Sequence, residues 1–394
     1  MNLEELDKEF VLQTYKRDYT NFTHGMGSRL YDENGNEYID FGSGIGVNSV
    51  GHANKKLVDA ICQQTNKIIH ISNLQVIEPQ ARLAQKIAHC YRDDVAVFFA
   101  NSGAEANEGA IKLARKYGEI KFEKKRYKII TLEHSFHGRT LSTVKATGQN
   151  SFHPSYFAPY IDGFSFVPTL ADVQSAIDDE TVAVMIELIQ GEGGVQELPK
   201  AQVQELAKIL KQKEVLLIVD EVQSGIYRSG EFLASQLYGI KPDIITLAKG
   251  LAGGVPIGAI VTPHKDILVA GDHGSTFGGN YLSSAAGIAV LDILEELHQS
   301  QALSQKIAYF EAKLQDIFAK YPHLFETITG LGLMRGLRVK SANLQANIIK
   351  ASMTEKLILL KSGRNTVRFL PSLTISKEEI NEGFARLNKA LETL

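Results

Sequence analysis

A chain of 394 residues is too long for one core of ordinary size and predicts two domains or one large one. Its 44% hydrophobic and 22% charged residues suit a globular enzyme, and a formal net charge of −3 with both signs interspersed argues against a nucleic-acid-binding surface. Two cysteines, Cys62 and Cys90, with no C-x-x-C pair argue against a disulfide framework or a zinc site.

The start, MNLEELDKEFVLQ, lacks the cationic and apolar regions of a secretory leader. No apolar run reaches the ~20 residues that span a bilayer, so the expected location is the cytoplasm, with no membrane partner. Residues 28–41, SRLYDENGNEYIDF, alternate around Asn34-Gly35, the pattern of a β-hairpin. The glycine-rich stretch Gly42 to Gly51 follows. Gly42, Gly44 and Gly46 have G-x-G-x-G spacing, not the G-x-G-x-x-G of a dinucleotide site, and they open no βαβ unit. A backbone-packing role is expected there, and a nicotinamide oxidoreductase is disfavoured.

From residue 95 onward, short apolar runs alternate with amphipathic segments. The runs are VAVFFA (95–100), YKIITL (127–132), TVAVMIEL (181–188), VLLIVD (215–220) and DIITLA (243–248). They are continuous, as strands are when both faces are covered, which predicts a mostly parallel sheet. Helices are expected between them, over 104–118 and 201–213, giving an α/β doubly wound fold. After residue 283 a helical pattern dominates, then a βαβ-like tail closes with VRFLPSLTIS. The expected division is an N-terminal segment with its hairpin (1–45), a large α/β domain (46–282) and a C-terminal small α+β domain (283–394) that joins the N-terminal hairpin.

Asp220 ends one apolar strand and Lys249 follows another. In a parallel sheet ligands bind beyond the carboxyl ends of strands, so both side chains can face one crevice. Each alone could be an ordinary polar residue at a strand end. Together they match a cofactor aldehyde that needs an amine for a Schiff base and a carboxylate against its pyridine nitrogen. Asn101-Ser102-Gly103-Ala104 joins strand 95–100 to the helix expected at 104; it could bind an anion there, or Ser102 could simply cap the helix. Ser275 and Thr276, in GSTFGGN (274–280), offer hydroxyls in a loop that by itself reads as an ordinary glycine loop. In SFHGRTL (135–141), Phe136 could lie against a flat ring and Arg139 could clamp a carboxylate; Arg368 is a second candidate clamp. Glu192, in GEGG, could neutralise one of these arginines or be a solvated loop acid.

NSGAEANE, SFHGRTL, ELIQGEGGV, VDEVQSG, TLAKGLAGG and GSTFGGN occur in the order and spacing of the class III aminotransferases of fold type I, which the chain resembles over nearly its whole length. The resemblance implies pyridoxal 5'-phosphate as cofactor. It makes Lys249 the lysine that carries the cofactor and moves the proton, Asp220 the carboxylate on the pyridine nitrogen, and Gln223 the residue near the phenolic oxygen. Phe136 becomes the stacking aromatic, and Ser102, Gly103 and Ala104 the phosphate cup, completed by Thr276 of the partner subunit in a homodimer, with Ser275 beside it. It implies that Arg139 holds a substrate carboxylate, and that Arg368 holds the α-carboxylate of 2-oxoglutarate, with Glu192 covering it when the first substrate is bound. Within the class it implies N2-acetylornithine as amino donor and 2-oxoglutarate as acceptor. Ile45 stands where ornithine aminotransferases have a tyrosine for the free amino acid, which favours an acylated donor; ornithine, succinylornithine and 4-aminobutyrate stay open as alternative donors.

Overall fold

A computed structural model describes all residues, Met1–Leu394. Strands β1 (Phe22–Met26), β2 (Arg29–Asp32) and β3 (Glu37–Asp40) form an antiparallel meander. The turn between β2 and β3 falls at Asn34-Gly35 as expected: Gly35 takes φ 77°, and Asp32 Oδ1 accepts from the N–H groups of Asn34 and Asn36.

The central sheet contains β4 (Ala96–Ala100), β5 (Lys128–Leu132), β6 (Phe164–Val167) and β7 (Thr181–Ile186). A short ribbon of β8 (Ile189–Gln190) and β9 (Gln196–Glu197) follows, then β10 (Leu216–Asp220), β11 (Ile244–Leu247) and β12 (Gly258–Thr262). The order across the central sheet is β4-β12-β11-β10-β7-β5-β6. All neighbours are parallel except β12, which runs antiparallel to both β4 and β11. All five expected strands are present; β6 and β12 are additions.

The continuous apolar runs have the expected cause. Ile129, Met185 and Ile218 pack on one face, against Ala106, Ala110 and Leu113 of the helix Gly103–Ile120. Their neighbours Ile130, Val184 and Leu217 pack on the other, against Val203, Leu206 and Leu210 of the helix Lys200–Gln212. Alternate side chains are buried on opposite faces, so every position is apolar. Each such side chain contributes about 1.5–3 kcal/mol by leaving water.

The C-terminal part brings β13 (Phe325–Leu331), β14 (Met334–Val339), β15 (Leu357–Ile358), β16 (Leu360–Ser362) and β17 (Thr366–Phe369). Here the structure departs from the βαβ expectation. The helix Ala342–Thr354 leads into β15, which pairs in parallel with β3 of the N-terminal meander. The chain then turns back, and β17 lies antiparallel to both β14 and β16. One apolar cluster runs from Ile39 and Phe41 through Leu251 to Val290, Leu314 and Phe384, so both termini pack on the element that carries Lys249.

Candidate active site

Because β4, β5, β7, β10 and β11 all point the same way, their carboxyl ends gather along one edge of the sheet. A cavity of about 420 Å³ opens there, lined among others by Ser102, Phe136, Glu187, Asp220 and Lys249.

The polypeptide leaves β4, and Ser102 adopts an extended conformation (φ −150°, ψ 166°) as N-cap of the 18-residue helix Gly103–Ile120. Its hydroxyl accepts from the N–H of Glu105 at 3.2 Å, so the capping reading holds. The anion reading survives beside it, because first-turn N–H groups have no intrahelical carbonyl and the helix dipole favours a negative group. Gly103 must be small: a Cβ there would sit 2.7 Å from Val222 Cγ1. Ser102, Gly103 and Ala104 all line the cavity.

Asp220 ends β10 only 4% exposed. Its Oδ2 accepts from Asn107 Nδ2 at 2.8 Å and is 2.9 Å from His137 Nδ1; its Oδ1 accepts from the N–H of Val222 at 3.0 Å. Asn107 is itself held, donating to the His137 carbonyl and accepting from Thr246 Oγ1 at 2.6 Å. A buried carboxylate so surrounded by donors is fixed in direction. Neither Asn107 nor His137 was assigned a role from the sequence, although both lie inside quoted motifs.

Lys249 opens a tight turn after β11, with φ 39°, and Ser49 Oγ donates to the carbonyl of the next residue, Gly250, at 2.8 Å. Burial pushes the ammonium of Lys249 below its ordinary range; Glu192 and Asp220 oppose that, and Arg368 adds to it. A lysine that loses its proton easily is what an amine nucleophile requires.

Phe136 lines the cavity and meets Phe152 edge-on at 5.5 Å between centroids. The exposed Arg139 lines it too, with its guanidinium 4.2 Å from the Phe152 centroid and 5.6 Å from that of Phe136. Behind the cavity, Arg368 Nη1 donates to Glu192 Oε1 at 2.5 Å, to Gln223 Oε1 at 3.1 Å and to the Gly191 carbonyl at 3.2 Å. Burial raises the Glu192 carboxyl, but the charge of Arg368 and its hydrogen bond outweigh this and leave it below its usual range. Gln223 lines the cavity, so the pair reaches it through that amide.

Ser275 and Thr276 are not among the cavity-lining residues of their own chain. Ser275 Oγ accepts from Asn101 Nδ2 at 3.1 Å, which puts the loop beside the anion cradle, and Thr276 is exposed. Glu187, just past β7, also lines the cavity and was not singled out in the sequence. Its signal was available: a carboxylate inside the otherwise apolar run TVAVMIEL. A lysine, a buried carboxylate, an aromatic face and a side-chain-free helix N-terminus around one cavity fit a flat, phosphorylated carbonyl cofactor.

The family model described as aminotransferase class-III matches residues 13–391. The acetylornithine aminotransferase of Wolinella succinogenes is 57% identical over 390 residues, covering 99% of each chain. Among solved structures, the N-acetylornithine aminotransferase of Stenotrophomonas maltophilia has a TM-score of 0.83 at 32% identity, covering 99% of each chain. An ornithine aminotransferase from Toxoplasma gondii, with partial occupancy of pyridoxal phosphate at its active site, has a TM-score of 0.91 at 29% identity, covering 99% of this chain and 94% of that one.

Proposed function

The chain belongs to the class-III aminotransferase family, and on that premise we propose that it transfers the δ-amino group of N2-acetyl-L-ornithine to 2-oxoglutarate, giving N-acetyl-L-glutamate 5-semialdehyde and L-glutamate. The observation that carries this reading is Lys249 and Asp220 lining one cavity from neighbouring strand ends. Pyridoxal 5'-phosphate is the cofactor, and when bound it supplies an electron-accepting ring that lets a proton leave the carbon bearing the amino group.

The residues divide the work by chemistry. Lys249 would hold the cofactor covalently, and its Nζ, when free, would take up the proton lost from the substrate δ-carbon, a type of step worth about 10²–10⁴-fold. Asp220, fixed by Asn107 and His137, keeps the ring nitrogen charged. Gln223 serves the phenolic oxygen, Phe136 covers a ring face, and Ser102, Gly103 and Ala104 hold the phosphate. Arg139 and Ser275 contact the substrate, with Arg139 holding a carboxylate. Arg368 receives the α-carboxylate of 2-oxoglutarate; Glu192 covers it while the longer donor is bound, so one site serves both substrates. Residues 1–45 and 283–394 form a smaller unit, which the pairing of β15 with β3 supports.

The same reading makes the enzyme a cytoplasmic homodimer in which Thr276 of the partner subunit completes the phosphate site. No helix is long and apolar enough to cross a membrane. An exposed apolar surface supports the dimer: Leu74 and Val76 are 90% and 87% exposed, and Phe277 is also exposed. Asn73 Nδ2 ties that segment to the Thr276 loop, donating to the carbonyls of Ser275 at 2.9 Å and Gly278 at 3.0 Å. Exposed apolar side chains grouped in this way are characteristic of an interface.

The donor is tested by adding acetylornithine, succinylornithine, ornithine and 4-aminobutyrate in turn to the cofactor-loaded protein and following loss of its visible absorbance. Acetylornithine is expected to act fastest. Faster loss with any of the other three would reassign the substrate.

A further inference from the structure

Glu187 has no part in the scheme above, yet it lies beside its central carboxylate. Strands β7 and β10 are in register at Ile186 and Val219, so Glu187 and Asp220 leave adjacent strand ends together. They are 5% and 4% exposed. Two buried carboxyl groups so placed do not both ionise cheaply, and the environment decides which keeps the proton.

The environment is unequal. Asp220 has two side-chain donors and one backbone donor, all at 3.0 Å or less. Glu187 has only backbone donors: Phe136 N–H at 2.8 Å on Oε2 and a stretched contact from Gly191 N–H at 3.4 Å on Oε1. No lysine, arginine or histidine side chain lies within salt-bridge distance of it, whereas Asp220 has the His137 ring 2.9 Å away. The charged groups that face Glu187 are Asp220 from β10, Glu192 from the ribbon loop and Lys249 from the turn after β11. Two of the three are anions. Burial and then the charge of Asp220 push the Glu187 carboxyl well up, against a smaller pull from the Phe136 N–H and Lys249.

We propose that Glu187 works as a neutral carboxylic acid, a positioning residue that holds the Phe136 backbone through one oxygen and turns an O–H donor toward the cavity. A neutral Glu187 adds no negative charge beside Asp220, and none to hold the proton on Lys249. The inference rests on the cofactor reading, since it assigns Glu187 a place in that site.

Infrared difference spectroscopy tests it on the cofactor-free protein. At neutral pH the parent protein is expected to show a carboxylic-acid C=O band that shifts in D₂O and is missing from Glu187→Gln. Absence of a band that depends on Glu187 would overturn the proposal. Two variants add a test on the loaded protein. Glu187→Ala should weaken cofactor binding about tenfold by removing the acceptor for Phe136 N–H, and Glu187→Gln should recover most of that loss. The pH midpoint of the cofactor's absorbance change should stay put in Glu187→Gln. A downward move of about one unit, as expected on removing a nearby anion, would show that Glu187 is charged and overturn the proposal. Failure of the parent protein to take up the cofactor would instead refute the proposed function, and the infrared result would still stand.

Discussion

Burial and the surrounding charges set different proton affinities for the ionisable groups around the cavity, and those differences lead to single-residue predictions. Lys249 sheds its proton below the ordinary lysine range, so replacing it by Ala should remove cofactor attachment and slow amino transfer by at least about 10²–10⁴-fold, measured in a coupled assay. Glu192→Ala uncovers Arg368, which should favour the glutamate half-reaction over the acetylornithine half-reaction in single-turnover measurements; equal changes in both would count against the switch. Glu187 also predicts a pH effect on stability. Its folded-state pKa is raised, so above the ordinary carboxylate range the unfolded chain releases a proton that the folded protein keeps, and stability falls as pH rises toward the folded value. The melting temperature of Glu187→Gln relative to the parent should therefore climb with pH through that window. Lys249 and Asp220 were legible in the sequence because both sit where an apolar run stops. His137 and Asn107 were not, because their role depends on the helix Gly103–Ile120 and the loop after β5 meeting over Asp220, about which local sequence says nothing.

The elements themselves were easier to read. Continuous apolar runs marked strands covered on both faces, and the helix N-terminus after β4 followed from a Ser-Gly junction. What the pattern missed was the one strand that runs against the others. The run GAIVT is apolar enough for a strand, but its antiparallel entry as β12 depends on the turn Lys249–Ala252 redirecting the chain. Likewise β14, the helix Ala342–Thr354 and β15 follow one another as strand, helix and strand, yet β14 and β15 belong to different sheets. Two glycines of the helix Gly103–Ile120 carry predictions at this scale. A Cβ on Gly118 would lie 1.9 Å from the Arg126 carbonyl oxygen, so Gly118→Ala should cost about 3 kcal/mol in a denaturant titration. Gly103→Ala meets only the Val222 side chain, so it should weaken cofactor binding more than it lowers the melting temperature.

In the whole molecule, the N- and C-terminal parts pack together, and apolar side chains around Leu74 and Val76 stay exposed. The pairing of β3 with β15 and the packing of Phe41, Phe310, Phe369 and Phe384 bind the N- and C-terminal parts together. On the open surface, the pair Leu74→Asp and Val76→Asp should shift sedimentation from dimer to monomer and reduce cofactor retention, because the Thr276 loop lies beside it. The central claim remains the covalent attachment of pyridoxal phosphate at Lys249, opposite Asp220. Borohydride reduction of the loaded protein followed by peptide mass mapping tests it directly. The cofactor mass should appear on the peptide containing Lys249 and disappear in Lys249→Ala; attachment to any other lysine, or none, would contradict the account.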